Sequence, residues 1–195
     1  MVYYLSLFFL VFLFSKLDIN STKLKKKFWL LSLFLIFIVL GSRYYIGGDY
    51  FGYANLYEKM NNINFDNPYS QFEFIYYTII LVANKLGLGY FLTNFIFLLI
   101  FLFFLEKYLK KYPNPFFVLF ISIPILLIPI SINFMRQAIA ISIFLFSINF
   151  LIKKDYIKYI FYIFVASFFH KFALIYLVFY FVYEKNYKNM MVYFT

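Results

Sequence analysis

The 195-residue chain is 65% hydrophobic and 28% aromatic, with only 13% charged residues, a balance that excludes a water-soluble globule. Its net charge of +10 does not point to nucleic acid, because the lysines fall in short runs between apolar segments, the pattern of a topology signal. Cysteine is absent and histidine occurs once, at His170, so disulfides, thiolate metal sites and multi-histidine metal sites are excluded.

A bilayer core of roughly 30 Å takes about 20 apolar residues, or somewhat fewer where flanking tyrosines and lysines reach the interface. Residues 1–15 read as an uncleaved first span with the N-terminus outside: they lack a basic leader and a small-residue cleavage site, and their lysines follow them. A second span is predicted at 28–42, followed by an extracytoplasmic loop over 43–73. Segment 70–87 contains an uninterrupted apolar run, Phe74 to Ala83, that is too short to read as a span. After the Gly87-Leu88-Gly89 turn, spans are predicted at 89–105, 115–132, 134–152, 156–170 and 172–184. Pro113-Asn114-Pro115 separates two of them, and Pro124 with Pro129 makes the span 115–132 prone to kinking.

Charge decides how segment 70–87 is placed. If it crossed, the lysine clusters at 107–111, 153–158 and 185–188 would lie outside. If it lies in the interface or re-enters, they join Lys16, Lys23, Lys25, Lys26 and Lys27 on the cytoplasmic side, leaving 13 lysines inside against five basic residues outside. The positive-inside bias prefers the second arrangement. The predicted fold is therefore an all-α integral membrane protein, a single polytopic domain over 1–195 built as a bundle of about 6–8 transmembrane helices with one interfacial or re-entrant segment, 70–87. This topology brings Arg43, Asp49, Glu73, Arg136 and His170 to the outer face.

Those residues are the ones suited to chemistry. Only two of the 18 basic residues are arginines, Arg43 and Arg136. Asn133 is placed to cap the helix that follows it, which puts Arg136 in a first turn where unpaired N–H groups and the positive dipole end already favour an anion. A guanidinium there can grip phosphate oxygens in a bidentate fork; the plainer alternative is snorkelling to head groups. Gly47 and Gly48 permit a sharp turn beside Asp49, so Arg43 and Asp49 either close the loop as an ion pair or serve as phosphate ligand and as sugar ligand or base. Tyr44, Tyr45, Tyr50, Tyr53 and Tyr57 suit sugar stacking, and equally an interfacial belt. The imidazole side chain intrinsically titrates near neutrality, so at the outer face His170 can accept a proton from an attacking hydroxyl, unless it is simply a hydrogen-bonded interface residue. Glu73 is a further substrate-binding candidate, set against helix capping or solvation. Asp49, Glu58, Asp66 and Glu73 match no compact metal-loop spacing, and no phosphate-binding glycine loop, nucleophile elbow or dinucleotide fingerprint is present.

Three blocks in order, RYYIGGDYFGY at 43–53, MRQAIA at 135–140 and ASFFHKFALI at 166–175, resemble the EpsG family of Wzy-like polysaccharide polymerases. The Glu73 region with its Gly-Leu-Gly turn adds a weaker fourth, and together the blocks span nearly the whole chain. Family members are longer, so the resemblance implies an N-terminal portion of such a protein. It also implies a multi-pass protein of the bacterial cytoplasmic (inner) membrane, with membrane lipids around it and no cofactor or nucleic acid. The implied activity is a glycosyltransferase reaction joining undecaprenyl-diphosphate-linked oligosaccharide repeats at the outer face, alongside chain-length regulator and flippase partners. Arg43 and Arg136 would then bind the diphosphate, with Glu73, Tyr50 and Tyr53 lining the substrate, and His170 or Asp49 would be the base. The alternatives are a transporter or flippase component that binds an anionic lipid-linked glycan, or an inactive fragment.

Overall fold

The computed structural model describes residues 2–17, 21–44, 46–60 and 73–183. Tyr45, loop residues 61–72 with Asp66, the first part of segment 70–87, residue 184, Lys185 and Lys188 lie outside the described residues. Among those described, all regular structure is helical. In chain order the elements are α1 (Val2–Lys16), α2 (Thr22–Gly41), α3 (Tyr50–Lys59), α4 (Phe74–Lys85), α5 (Gly89–Leu109), α6 (Pro115–Asn133), α7 (Met135–Ile152), α8 (Tyr156–Ser167) and α9 (Lys171–Tyr183).

Local chemistry accounts for several helix boundaries. Asn114 accepts a hydrogen bond from the Phe117 N–H at 3.1 Å with Pro115 just inside the helix, so α6 starts with a side-chain cap and a residue that needs no N–H partner. Ser21 and Asp155 occupy the same capping role for α2 and α8. The kink expected from the two prolines takes a specific form: α6 widens into a π-helical turn over Ile123–Leu127, where Pro124 cannot donate to the regular ladder. At the Gly87-Leu88-Gly89 turn both glycines adopt positive φ, 66° and 70°, which reverses the chain from α4 into α5 without a Cβ penalty.

Helices α5, α6 and α7 are long and apolar enough to cross a membrane, whereas α1, α4, α8 and α9 are apolar but shorter. With 12 residues, α4 reaches only about 18 Å. Helix α7 is the centre of the bundle, packed between α5 and α8. Its Ala138, Ala140, Ser142 and Ser147 are fully buried, and side chains this small let neighbouring backbones approach closely where lipid provides no hydrophobic drive between helices. Helix α1 lies on α6, and α2 lies on α5, where Gly41 faces Phe95 so closely that a Cβ would stand 2.2 Å from the ring.

The bundle has two chemically different ends. At one, Trp29 donates to Glu106 at 3.1 Å and Asn114 donates to the Ser15 carbonyl at 3.1 Å, gathering the ends of α1 and α5 and the starts of α2 and α6 among most of the lysines. The end of α2, the starts of α5 and α7 and the end of α6 meet at the other, together with α3 and the start of α4.

Candidate functional site

Glu73 stands immediately before α4, beside the short non-helical link between α8 and α9. Its side chain does not cap its own helix. The Tyr76 N–H donates to the Phe168 carbonyl at 3.4 Å, which pins the first turn of α4 to the end of α8 and brings Glu73 against His170. One carboxylate oxygen of Glu73 lies 3.2 Å from His170 Nδ1 and accepts from the Lys171 N–H at 3.4 Å. The other forms an ion pair with Arg136 Nη1.

Arg136 reaches this point from the first turn of α7. Its Nε donates to the Tyr53 hydroxyl at 3.4 Å, and that hydroxyl in turn donates to Asp49 at 3.4 Å. The guanidinium also sits 5.3 Å and 5.5 Å from the ring centroids of Tyr53 and Tyr76, close enough for cation–π attraction to both. Two carboxylates, a hydroxyl, a guanidinium and an imidazole are thus linked by single contacts from Asp49 to His170. Burial opposes ionisation of Glu73, but the His170 hydrogen bond, the charge and hydrogen bond of Arg136 and the Lys171 N–H outweigh it and hold the carboxyl below its ordinary value. The Tyr53 hydroxyl moves the other way: burial pushes it up, against the pull of Arg136.

Asn133 is a correction to the sequence expectation. Phe134 occupies the position before α7 and no side chain caps that helix. Asn133 instead donates to the Pro129 carbonyl at 2.9 Å and accepts from the Gly48 N–H at 2.9 Å, tying the end of α6 to the Gly47-Gly48 turn. Gly47 packs directly on that helix end, with φ of 111° and a would-be Cβ only 2.3 Å from the Ile132 carbonyl oxygen. Asp49 and α3 are positioned by this contact. The first turn of α7 still offers unpaired N–H groups beside Arg136.

A protein-family comparison matches the EpsG family over residues 26–195, a stretch that takes in every residue of this cluster. The chain belongs to the EpsG family. No curated protein and no solved structure matches it.

The other candidates of this EpsG-family chain have different surroundings. Arg43 is only 3% exposed; its guanidinium donates to the Ile132 carbonyl and to Asn94 at 2.7 Å, and Asn94 donates back to the Gly41 carbonyl at 3.4 Å. It locks α2, α5 and α6 together and neither pairs with Asp49 nor joins the Arg136 cluster. Tyr50 is buried against Tyr90, with ring centroids 5.2 Å apart, and Tyr53 is buried against Tyr76 at 5.9 Å, so neither ring lies open to a sugar. Tyr57 is a staple: its hydroxyl donates to the Ala83 carbonyl at 3.2 Å and accepts from the Gly89 N–H at 2.9 Å, holding α3 on the α4–α5 turn. Glu73, which the sequence sets against helix capping or solvation, is the hub. A lone acid preceding an apolar run gives no hint of this in one dimension. Asn94 passed unnoticed, although an amide in the interior of a membrane-length helix is itself a signal.

Proposed function

We propose that this EpsG-family protein is a polysaccharide polymerase of the bacterial envelope, a glycosyltransferase that joins undecaprenyl-diphosphate-linked repeat units. The observation that supports this reading best is the pairing of Arg136 and His170 on one buried carboxylate, Glu73, at the bundle end opposite most of the lysines. Under the positive-inside bias that end faces outward, α4 lies in the interface, and the chain crosses the inner membrane about 6–8 times.

In the reaction, an acceptor hydroxyl attacks the anomeric carbon of the donor sugar. The bond from that carbon to the diphosphate oxygen breaks, and the lipid diphosphate leaves with the electron pair. Arg136, 31% exposed, is the cation that meets the leaving diphosphate, and the first-turn N–H groups of α7 point the same way. His170, 23% exposed, takes the proton of the attacking hydroxyl. Asp49 acts through Tyr53, whose hydroxyl orients the Arg136 guanidinium. Tyr44, 58% exposed, is an aromatic at this end that can meet a sugar ring.

The test uses purified protein in liposomes loaded with lipid-linked repeats. A ladder of lengthened glycans is expected. Movement of unlengthened glycan across the bilayer would instead establish the flippase reading, and neither outcome would leave the chain without either activity.

A further inference from the structure

The exposures within the cluster divide its members by role. Arg136 and His170 are partly open, at 31% and 23%, whereas the Glu73 side chain between them is 7% exposed. A ligand entering from the bundle end meets the guanidinium and the imidazole before it can reach the carboxylate. Both Glu73 oxygens are already engaged, one by Arg136 and the other by His170 Nδ1 and the Lys171 N–H. A substrate hydroxyl would have to break one of these contacts to bind Glu73.

An ionised carboxylate accepts hydrogen bonds and cannot donate them. The contact between Glu73 and His170 Nδ1 therefore requires the hydrogen on Nδ1 whenever the ring is neutral. The lone pair is then on Nε2, the nitrogen directed away from Glu73. Proton acceptance by a histidine needs a bare nitrogen facing the donor, and which nitrogen is bare is set by the partner of the other one.

We propose that Glu73 is a positioning residue that fixes His170 as the Nδ1–H tautomer and leaves Nε2 as the proton acceptor, with no contact of its own to substrate. The consequence for catalysis rests on the polymerase reading; the tautomer itself does not. Among the described residues, the charged and titratable groups around His170 are Glu73 just before α4, Arg136 from α7, Lys171 next in the chain, and, beyond Arg136, Tyr76 from α4, Tyr53 from α3 and Asp49 just before α3. Among the described residues, only Glu73 touches the ring with a negative charge.

His170 is the only histidine in the chain, so ¹⁵N-histidine labelling of the full protein in nanodiscs gives one imidazole spectrum. In the neutral form of the wild type, Nδ1 is expected to be protonated and Nε2 bare. Glu73→Gln keeps an acceptor at the same place, so the Nδ1–H tautomer should persist. Glu73→Leu removes the acceptor and should lose the tautomer preference. In the polymer assay its kcat should fall roughly a hundredfold with little change in KM, the scale of a misdirected general base.

A wild-type ring protonated on Nε2 in its neutral form would overturn the proposal. So would a Glu73→Gln protein that loses the Nδ1–H tautomer although the acceptor is kept, a result that remains readable if Glu73→Leu fails to fold. If the spectra behave as expected but wild-type protein forms no polymer, the positioning role stands and the polymerase reading falls.

Discussion

At the scale of single residues, the two arginines show how one side-chain type serves two ends. Arg43 is buried with its two terminal nitrogens on a backbone carbonyl and Asn94, while its Nε has no hydrogen-bond partner among the described residues, so most of its donors are used inside the bundle. Arg136 makes one ion pair and one hydrogen bond, and its partly exposed guanidinium keeps further N–H donors. Its planar fork holds Glu73 and Tyr53 in two directions while its face rests on two tyrosine rings, a combination that a lysine ammonium cannot reproduce. Arg136→Lys should therefore lose polymer formation almost as fully as Arg136→Ala, each by about a hundredfold or more, the scale of a removed transition-state donor. Glycan lengths in a deletion strain complemented with each variant provide the measurement. Wild-type polymer from Arg136→Lys would show that charge alone suffices. Sequence singled out Arg136 because arginine is scarce here, but the same scarcity made Arg43 look equivalent. The difference lies in Asn94 and Ile132, partners far along the chain that no local pattern connects to it.

The helices were readable to different degrees, and the reason is the kind of contact that sets each one. Spans 89–105, 115–132 and 134–152 announce themselves as continuous apolar runs and correspond to α5, α6 and α7. The proline pair foretold a distortion in α6, while its π-helical form depends on where the ladder can widen. Asn133 was misjudged because a capping residue and a residue reaching back to i−4 look alike in sequence, and the Gly48 N–H that holds it comes from a loop more than 80 residues earlier. That loop makes an element-scale prediction. At Gly47 a methyl group would collide with a backbone carbonyl of α6 at a φ of 111°, so Gly47→Ala should destabilise the protein by roughly 1–3 kcal/mol and displace Asp49 and α3. Gly52 lies within α3 with nothing near its would-be Cβ, so Gly52→Ala should stabilise by about 0.5–1 kcal/mol through helix propensity. Thermal unfolding of both variants in the same detergent tests the pair; equal midpoints would mean that the Gly47 contact does not hold the loop.

For the whole molecule, the proposed outward placement of the site requires α4 to enter and leave at the same end of the bundle. Glu73, the residue just before α4, contacts His170 between α8 and α9, and the last turn of α4 is stapled to Tyr57 of α3 through Asn84, which donates to the Tyr57 carbonyl at 2.8 Å. A helix of about 18 Å that begins in the cluster and ends beside α3 has no length left to traverse a core of roughly 30 Å. The lysines at the opposite end, including Lys107, Lys110, Lys111, Lys153 and Lys158, then share one side, as the positive-inside bias requires. The absence of cysteine makes this directly testable by single introduced cysteines. Leu86, 68% exposed after α4, and Phe172, 67% exposed after His170, should react with an impermeant thiol reagent in intact cells as Leu86→Cys and Phe172→Cys. Ile157, 84% exposed at the start of α8, should react as Ile157→Cys only once the membrane is opened. Labelling of Leu86 and Phe172 from opposite sides would make α4 a crossing helix and would separate Glu73 from the outer face. Both positions reacting only after permeabilisation would invert the bundle and put the Arg136 and His170 cluster in the cytoplasm, where a lipid-linked glycan already moved outward could not reach it.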